Sequence, residues 1–254
     1  AINVNVGFYA TAAEPLDEIR SMIQAGAIGF KLYMNDPNPE AWHHDHRRLL
    51  SCLKGCGSLR APVACHAENG LAIAEIQEKL QAAGRNSIRD FLKAHAPRFE
   101  TEAVRTITNL ARQARSHVNV CHLSTAKALR EISRARRAGA AVTCEVTPHH
   151  LLLQRKDLNQ KRGLAIMVPP LRQQEDGRAL WKGIRKREVN IVASDHAPHT
   201  LEEKTVNDVW AVKPGIPGLE TTLPMLMTLA HRGEAKLSQL VRVCLLYTSD
   251  AADE

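Results

Sequence analysis

The chain reads as short apolar runs alternating with longer stretches of helical period. Ala27 to Met34, Ala61 to Asn69, His117 to His122, Ala140 to Glu145 and Val189 to Ala193 are each rich in aliphatic residues and bounded by polar or turn-forming ones. Runs of that kind are strands buried on both faces, as in a parallel sheet. Residues 1–9 alternate and predict one more strand. Between the strands lie helical segments. One opens at Glu14-Pro15-Leu16-Asp17 and closes near Gly26, one spans about 40–53, and one lies within 71–100 beside a looser insertion. Others cover 102–115, 125–138, about 175–187 and about 218–231. In the 102–115 segment Val104, Ile107, Ala111 and Ala114 form one apolar stripe. Strand and helix therefore alternate about six times, which predicts a parallel sheet with helical crossovers.

Composition narrows the class. The 254 residues are 44% hydrophobic, enough for one large domain with a substantial core. Aromatics make up only 4%, so Leu, Ile, Val and Ala must fill that core. No run approaches the roughly 18 apolar residues of a membrane span. Ala1 to Val6 lacks the basic region and apolar stretch of a signal peptide. The six cysteines match no disulfide framework, which points to a reducing, cytoplasmic setting. Cys52 and Cys56 have the spacing of a metal pair, but no second pair follows. The net charge of +7 raises nucleic-acid binding as a class. The basic residues, among them Arg105, Arg112, Arg115, Arg130, Arg134 and Arg137, are spread over helical faces without interleaved aromatics. They read as solvated surfaces whose field also favours an anionic small substrate.

The chemistry sits at the strand ends. Apolar runs stop in His66, His122, Glu145 and Asp195, and the run from Ala27 to Met34 carries Lys31. Each residue alone has a structural reading: a hydrogen-bonded histidine, a helix-capping carboxylate, a lysine reaching out to solvent. Together they fit a barrel, in which every strand C-terminus converges on one face. Imidazoles and carboxylates on one rim suit zinc and similar divalent ions. A buried Lys31 without a paired acid is costly as a cation. A neutral amine there takes up carbon dioxide to become a carbamate, an anionic bridge between two metals.

Longer motifs carry a resemblance. Gly29-Phe30-Lys31-Leu32-Tyr33, His66-Ala67-Glu68-Asn69, Cys121-His122-Leu123-Ser124-Thr125, Cys144 to Leu151, Val168-Pro169-Pro170-Leu171-Arg172, Ala193 to Lys204 and Gly215 to Thr221 run colinear with the dihydroorotase branch of the amidohydrolase superfamily. The string from Ser194 to Lys204 resembles dihydroorotases most specifically; the other motifs are shared with allantoinases and hydantoinases. The resemblance implies a TIM (β/α)8 barrel with about strands 3–8 present, residues 1–245 forming it and 246–254 a non-native tail. It implies Lys31 as a carboxylated bridge between two zinc ions, His66 and His122 on one ion, and Asp195 on the other as proton carrier. His199 would meet a substrate carboxylate, and the backbone at Pro214 and Gly215 the ring. A third zinc in the dihydroorotase domain of the animal multifunctional pyrimidine-synthesis protein uses a Cys and a Glu matching Cys121 and Glu145, along with a residue this chain lacks. The implied reaction interconverts dihydroorotate and N-carbamoyl-L-aspartate, with a homodimer or aspartate transcarbamoylase as partner and no nucleic acid or membrane. The same motifs allow an allantoinase or hydantoinase, or a non-catalytic dihydroorotase-like scaffold. The family's His-x-His strand is not found in the chain. Val168 stands where the family carries Asn or Arg, and Arg172 is the residue placed to compensate.

Overall fold

The computed structural model describes residues 6–244. Six strands, β1 (Phe8–Thr11), β2 (Ala27–Tyr33), β3 (Val63–His66), β4 (Val118–Val120), β5 (Val142–Val146) and β6 (Ile191–Val192), pair in sequence order. Every pairing is parallel. Among the described residues no ladder joins β6 back to β1. The crossovers are helical: α1 (Leu16–Gln24), α2 (His46–Ser58), α3 (Gly70–Ala82), α4 (Ile88–Ala94), α5 (Pro97–Ala114), α6 (Ala126–Arg137), α7 (Pro148–Leu152), α8 (Asp157–Lys161) and α9 (Gln174–Arg185). After β6 come α10 (Leu201–Lys204), α11 (Leu219–His231) and α12 (Leu237–Cys244).

The strands alternate more than the sequence suggested. In β4 and β5, Val118, Val120, Val142, Cys144 and Val146 are buried, while Asn119, Thr143 and Glu145 are half-buried on the opposite face. The register lines Thr11, Lys31, Ala64, Asn119 and Thr143 into one row across five strands. The apolar face packs on α2, α5, α6 and α9 through Leu53, Ile107, Ile132, Leu180 and Ile184, all fully buried. Each such side chain contributes about 1.5–3 kcal/mol of transfer free energy. The polar row faces inward, where a barrel keeps its interior and, at the strand C-termini, its site.

Several boundaries differ from the sequence reading. The expected strand over 1–9 is found at Phe8–Thr11, and residues 1–5 lie outside the described residues. The helix expected over 40–53 is α2, shifted to His46–Ser58 because Asp45 caps it, accepting from the Arg47 amide at 2.7 Å. The looser insertion resolves into α3, α4 and the first turns of α5. A Ser87–Asp90 capping box starts α4, and Pro97 sits in the first turn of α5. The short helices α7, α8 and α10, and α12, have no counterpart in the sequence reading. The tail expected over 246–254 lies outside the described residues.

Candidate active site at the strand ends

Lys31 projects from β2, His66 ends β3, and Cys121 and His122 follow β4. Glu145 lies in β5 and Asp195 in the turn after β6. The fold thus brings the expected residues to the same end of adjacent parallel strands. The His66 and His122 rings lie 4.4 Å apart, edge to face. His122 and Asp195 hold positive φ angles of 36° and 45°, turns that swing each side chain off its strand. Tyr33 stands over the rim, 50% exposed, with its ring centroid 5.4 Å from Lys31 Nζ and 6.5 Å from the His66 ring.

Lys31 is not the unpaired amine the sequence suggested. Its Nζ donates to Cys121 Sγ at 3.0 Å. Burial lowers its pKa, but Cys121, Glu145 and Cys65 outweigh that and leave it raised. The thiol of Cys121 is pushed up to about 12, chiefly by burial. Burial also raises Glu145, which accepts from Asn119 Nδ2 at 2.9 Å. Cys121 and Glu145 therefore form one hydrogen-bonded group with the Lys31 ammonium. His122 is held neutral: burial first, then the charges of His66, Lys31 and His150, lower its pKa well below the ordinary value. Burial raises Asp195, partly offset by Lys31 and His66.

A buried polar network backs the histidines; the sequence places Glu68, Ser124 and Arg172 of it in motifs but gives Glu68 and Ser124 no role. Glu68, fully buried, meets His66 Nε2 at 2.9 Å, with His95 Nδ1 at 3.5 Å and Arg172 Nη2 at 3.8 Å from its other oxygen. Burial would raise Glu68, but the hydrogen bond of His66 and the nearby His95 ring prevail and hold it far below the usual carboxylate range. Arg172, the residue placed in the sequence to compensate for Val168, donates to Ser124 Oγ at 2.9 Å and to the His95 carbonyl at 2.6 Å. It is 6% exposed, so its charge is spent inside the protein. The Ser124 hydroxyl and amide both donate to Glu100.

The far side of the rim is built from loops. His199, exposed, places Nε2 3.1 Å from the Pro214 carbonyl. The Gly215 amide donates to the Ile166 carbonyl at 2.9 Å. Lys204, 5% exposed, donates to the carbonyls of Ile166, Lys213 and Gly215 at 2.8, 2.8 and 2.9 Å. The residues expected to meet substrate are thus brought together, with their backbone groups already partnered; a carbonyl keeps a second lone pair for a ligand. Val168 and Pro214 line a cavity of about 400 Å³ with Asn35, Gly70, Ile73 and His95. A larger cavity of about 710 Å³ is walled by Lys161, Arg162 and Val206; the strand-end residues line neither of the two.

The donor set suits a divalent ion in part. Two imidazoles stand side by side, one neutral by burial, and the buried His122 Nδ1 has no hydrogen-bond partner. That is the chemistry of a two-histidine contribution to one metal. Among the described residues, no group of three or more His, Cys, Asp or Glu side chains is placed to hold an ion. Nor is any helix there long and apolar enough to cross a membrane.

Parallel strands, helical crossovers and polar strand ends define the α/β architecture of the hydantoinase-type amidohydrolase TIM barrel, with six strands present. No family model matches the chain. It is similar to an allantoinase of Solibacter usitatus, 31% identical over 217 residues that cover 85% of this chain and 48% of that protein. An allantoinase of Escherichia coli K12 is 30% identical over 83% of this chain and 48% of its own length. Among solved structures, the L-hydantoinase (dihydropyrimidinase) of Arthrobacter aurescens superimposes with a TM-score of 0.85 at 29% identity, over 93% of this chain and 54% of that one. A dihydropyrimidinase from Brevibacillus agri gives 0.84 at 26% identity, with the same coverage. The chain spans about half the length of the curated relatives it matches.

Proposed function

We propose that the whole protein is a metal-dependent hydrolase of a cyclic amide, with a ring of the allantoin or hydantoin kind as substrate. The convergence of Lys31, His66, His122 and Asp195 on one rim carries this reading. Likeness to allantoinases over most of the chain, and to hydantoinases in fold, supports that ring type over dihydroorotate. Zinc is the ion we propose, with His66 and His122 holding one ion, and Asp195 with a carbamate on Lys31 serving a second. A bound divalent metal supplies the Lewis acidity that amide hydrolysis needs. Lys31 must give up its bond to Cys121 before it carries a carbamate. Asp195, half-buried with a raised pKa, is fitted to take a proton and return it to the leaving ring nitrogen. The cavity between Val168 and Pro214 receives the rest of the ring.

Dihydroorotate is the second reading. The Ser194 to Lys204 string favours it, as does His199, which stands exposed where a substrate carboxylate would approach. The test is ring opening by the zinc-loaded whole protein on allantoin, hydantoin and dihydroorotate, with and without chelator. Chelator-sensitive opening of allantoin or hydantoin is expected. Opening of dihydroorotate alone would transfer the assignment to the second reading. Zinc bound but none of the three opened would overturn the enzyme reading in favour of a non-catalytic scaffold.

A further inference from the structure

We infer that Glu68 is a positioning residue that fixes which ring nitrogen of His66 is free to bind metal, and that Arg172 and His95 hold Glu68 in place to do so. The inference rests on the metal-site reading above and adds the orientation of one ligand to it. Glu68 follows His66 by two residues, and its side chain is fully buried. An ionised carboxylate can only accept, so the 2.9 Å contact requires the proton on His66 Nε2. In the neutral ring, the form a metal ligand must take, Nδ1 is then the nitrogen left without a proton. The second Glu68 oxygen faces His95 Nδ1 and Arg172 Nη2 at ion-pair rather than hydrogen-bond distances. The clamp extends further. Arg172 bonds the His95 carbonyl and Ser124 Oγ, and Ser124 lies two residues beyond His122. One guanidinium thus links the carboxylate behind the first histidine to the loop that carries the second. None of Glu68, His95 or Arg172 exceeds 7% exposure, so the clamp is closed to solvent.

The tautomer is directly measurable. In the metal-free whole protein labelled with ¹⁵N-histidine, two-bond proton–nitrogen correlations report which nitrogen carries the proton, with His66 assigned from its loss in His66→Gln. The expected result is His66 as the Nε2–H form, changing to a mixture in Glu68→Leu. A wild-type His66 protonated on Nδ1 would overturn the inference without any variant having to fold. Zinc affinity by chelator competition is the second readout. Glu68→Leu should weaken it on the order of 10–100-fold. Glu68→Gln, whose carbonyl still accepts from Nε2–H, should weaken it less. Wild-type affinity in a folded Glu68→Leu protein would also overturn the inference, because a purely structural role moves the melting temperature and not the affinity. A wild-type protein that takes up no zinc but shows His66 as Nε2–H sinks the metal reading while supporting the hold of Glu68 on His66.

Discussion

The two sides of the rim are held by different physics. On the β3–β4 side, His66 and His122 sit at the ends of strands and are braced by side chains: Glu68, Arg172, His95, Ser124 and Glu100. On the far side, His199, Pro214 and Gly215 sit in loops and are braced by backbone groups, three of whose carbonyls converge on Lys204. Both braces are buried, but only the first encloses opposite charges. Two carboxylates and one guanidinium share it, so removing the cation leaves two buried acids to act on each other. In the second brace an ammonium meets neutral dipoles, and its three hydrogens match three acceptors. Burial lowers Lys204 to about 8, which still leaves it largely charged at neutral pH. The side that carries the proposed metal ligands is thus the more brittle, and the side of the proposed substrate contacts the more forgiving.

Two substitutions break that comparison most directly. Arg172→Met removes the buried guanidinium beside Glu68 and Glu100, leaving each carboxylate only its hydrogen-bonding partners, and should cost about 3–5 kcal/mol of stability. Lys204→Met removes a buried cation along with its bonds, leaving carbonyls unpaired, and should cost about 2 kcal/mol. Urea denaturation of the whole protein measures both. Equal losses, or the reverse order, would mean that charge enclosure does not distinguish the two sides.

How legible each side was in the sequence follows from the same contrast. The strand-end residues could be read because an apolar run that stops in His or Asp is a local pattern, and the fold then collects local patterns at one face. The buried role of Arg172 is not legible because its partners, Ser124 and His95, lie 48 and 77 residues away, and nothing beside it announces them. Glu68 was visible within His66-Ala67-Glu68-Asn69, but its role depends on which way a neighbouring ring turns. Lys204 left no signal beyond its motif, since its partners are backbone carbonyls and any residue type supplies one. The Ser87–Asp90 box that starts α4 is a sequence-level signature and was available to the reading. Lys31 reads as unpaired in the sequence because Cys121 and Glu145 approach it from segments far along the chain.

Acid sharpens the comparison by a smaller amount. Behind the histidine side, His149 and His150 are buried on α7, lowered to about 2 and about 4, each chiefly by burial. His150 is fixed between the Thr147 hydroxyl and the Pro169 carbonyl, at 2.7 and 3.0 Å. Both folded-state values lie below the ordinary 6.5, so the unfolded chain binds the extra protons. The stability from keeping these rings neutral is present above pH 6.5 and is lost as pH falls toward 4. Each ring contributes at most about 1.4 kcal/mol per pH unit to that decline. Denaturation midpoints taken between about pH 7 and 5 should show the slope, and His149→Phe should flatten it by one ring's share. An unchanged slope would remove His149 from the acid-sensitive side.

The smallest expected effect tests the loop side alone. Gly215 holds φ at 152°, a conformation that side chains rarely adopt. A Cβ added there would collide with the Ala197 carbonyl and stand 2.8 Å from Ala197 Cβ. Gly215→Ala must therefore shift the loop away from the turn that follows Asp195, at a cost of about 1–2 kcal/mol of backbone strain. The amide bond to Ile166 and the carbonyl bond to Lys204 should let the strand ends stay in place while the loop moves. The expected kinetic signature is a raised KM for the ring substrate with zinc affinity unchanged, because no metal-side residue touches Gly215. If zinc affinity falls together with KM, the two sides form one cooperative unit rather than two separately braced ones.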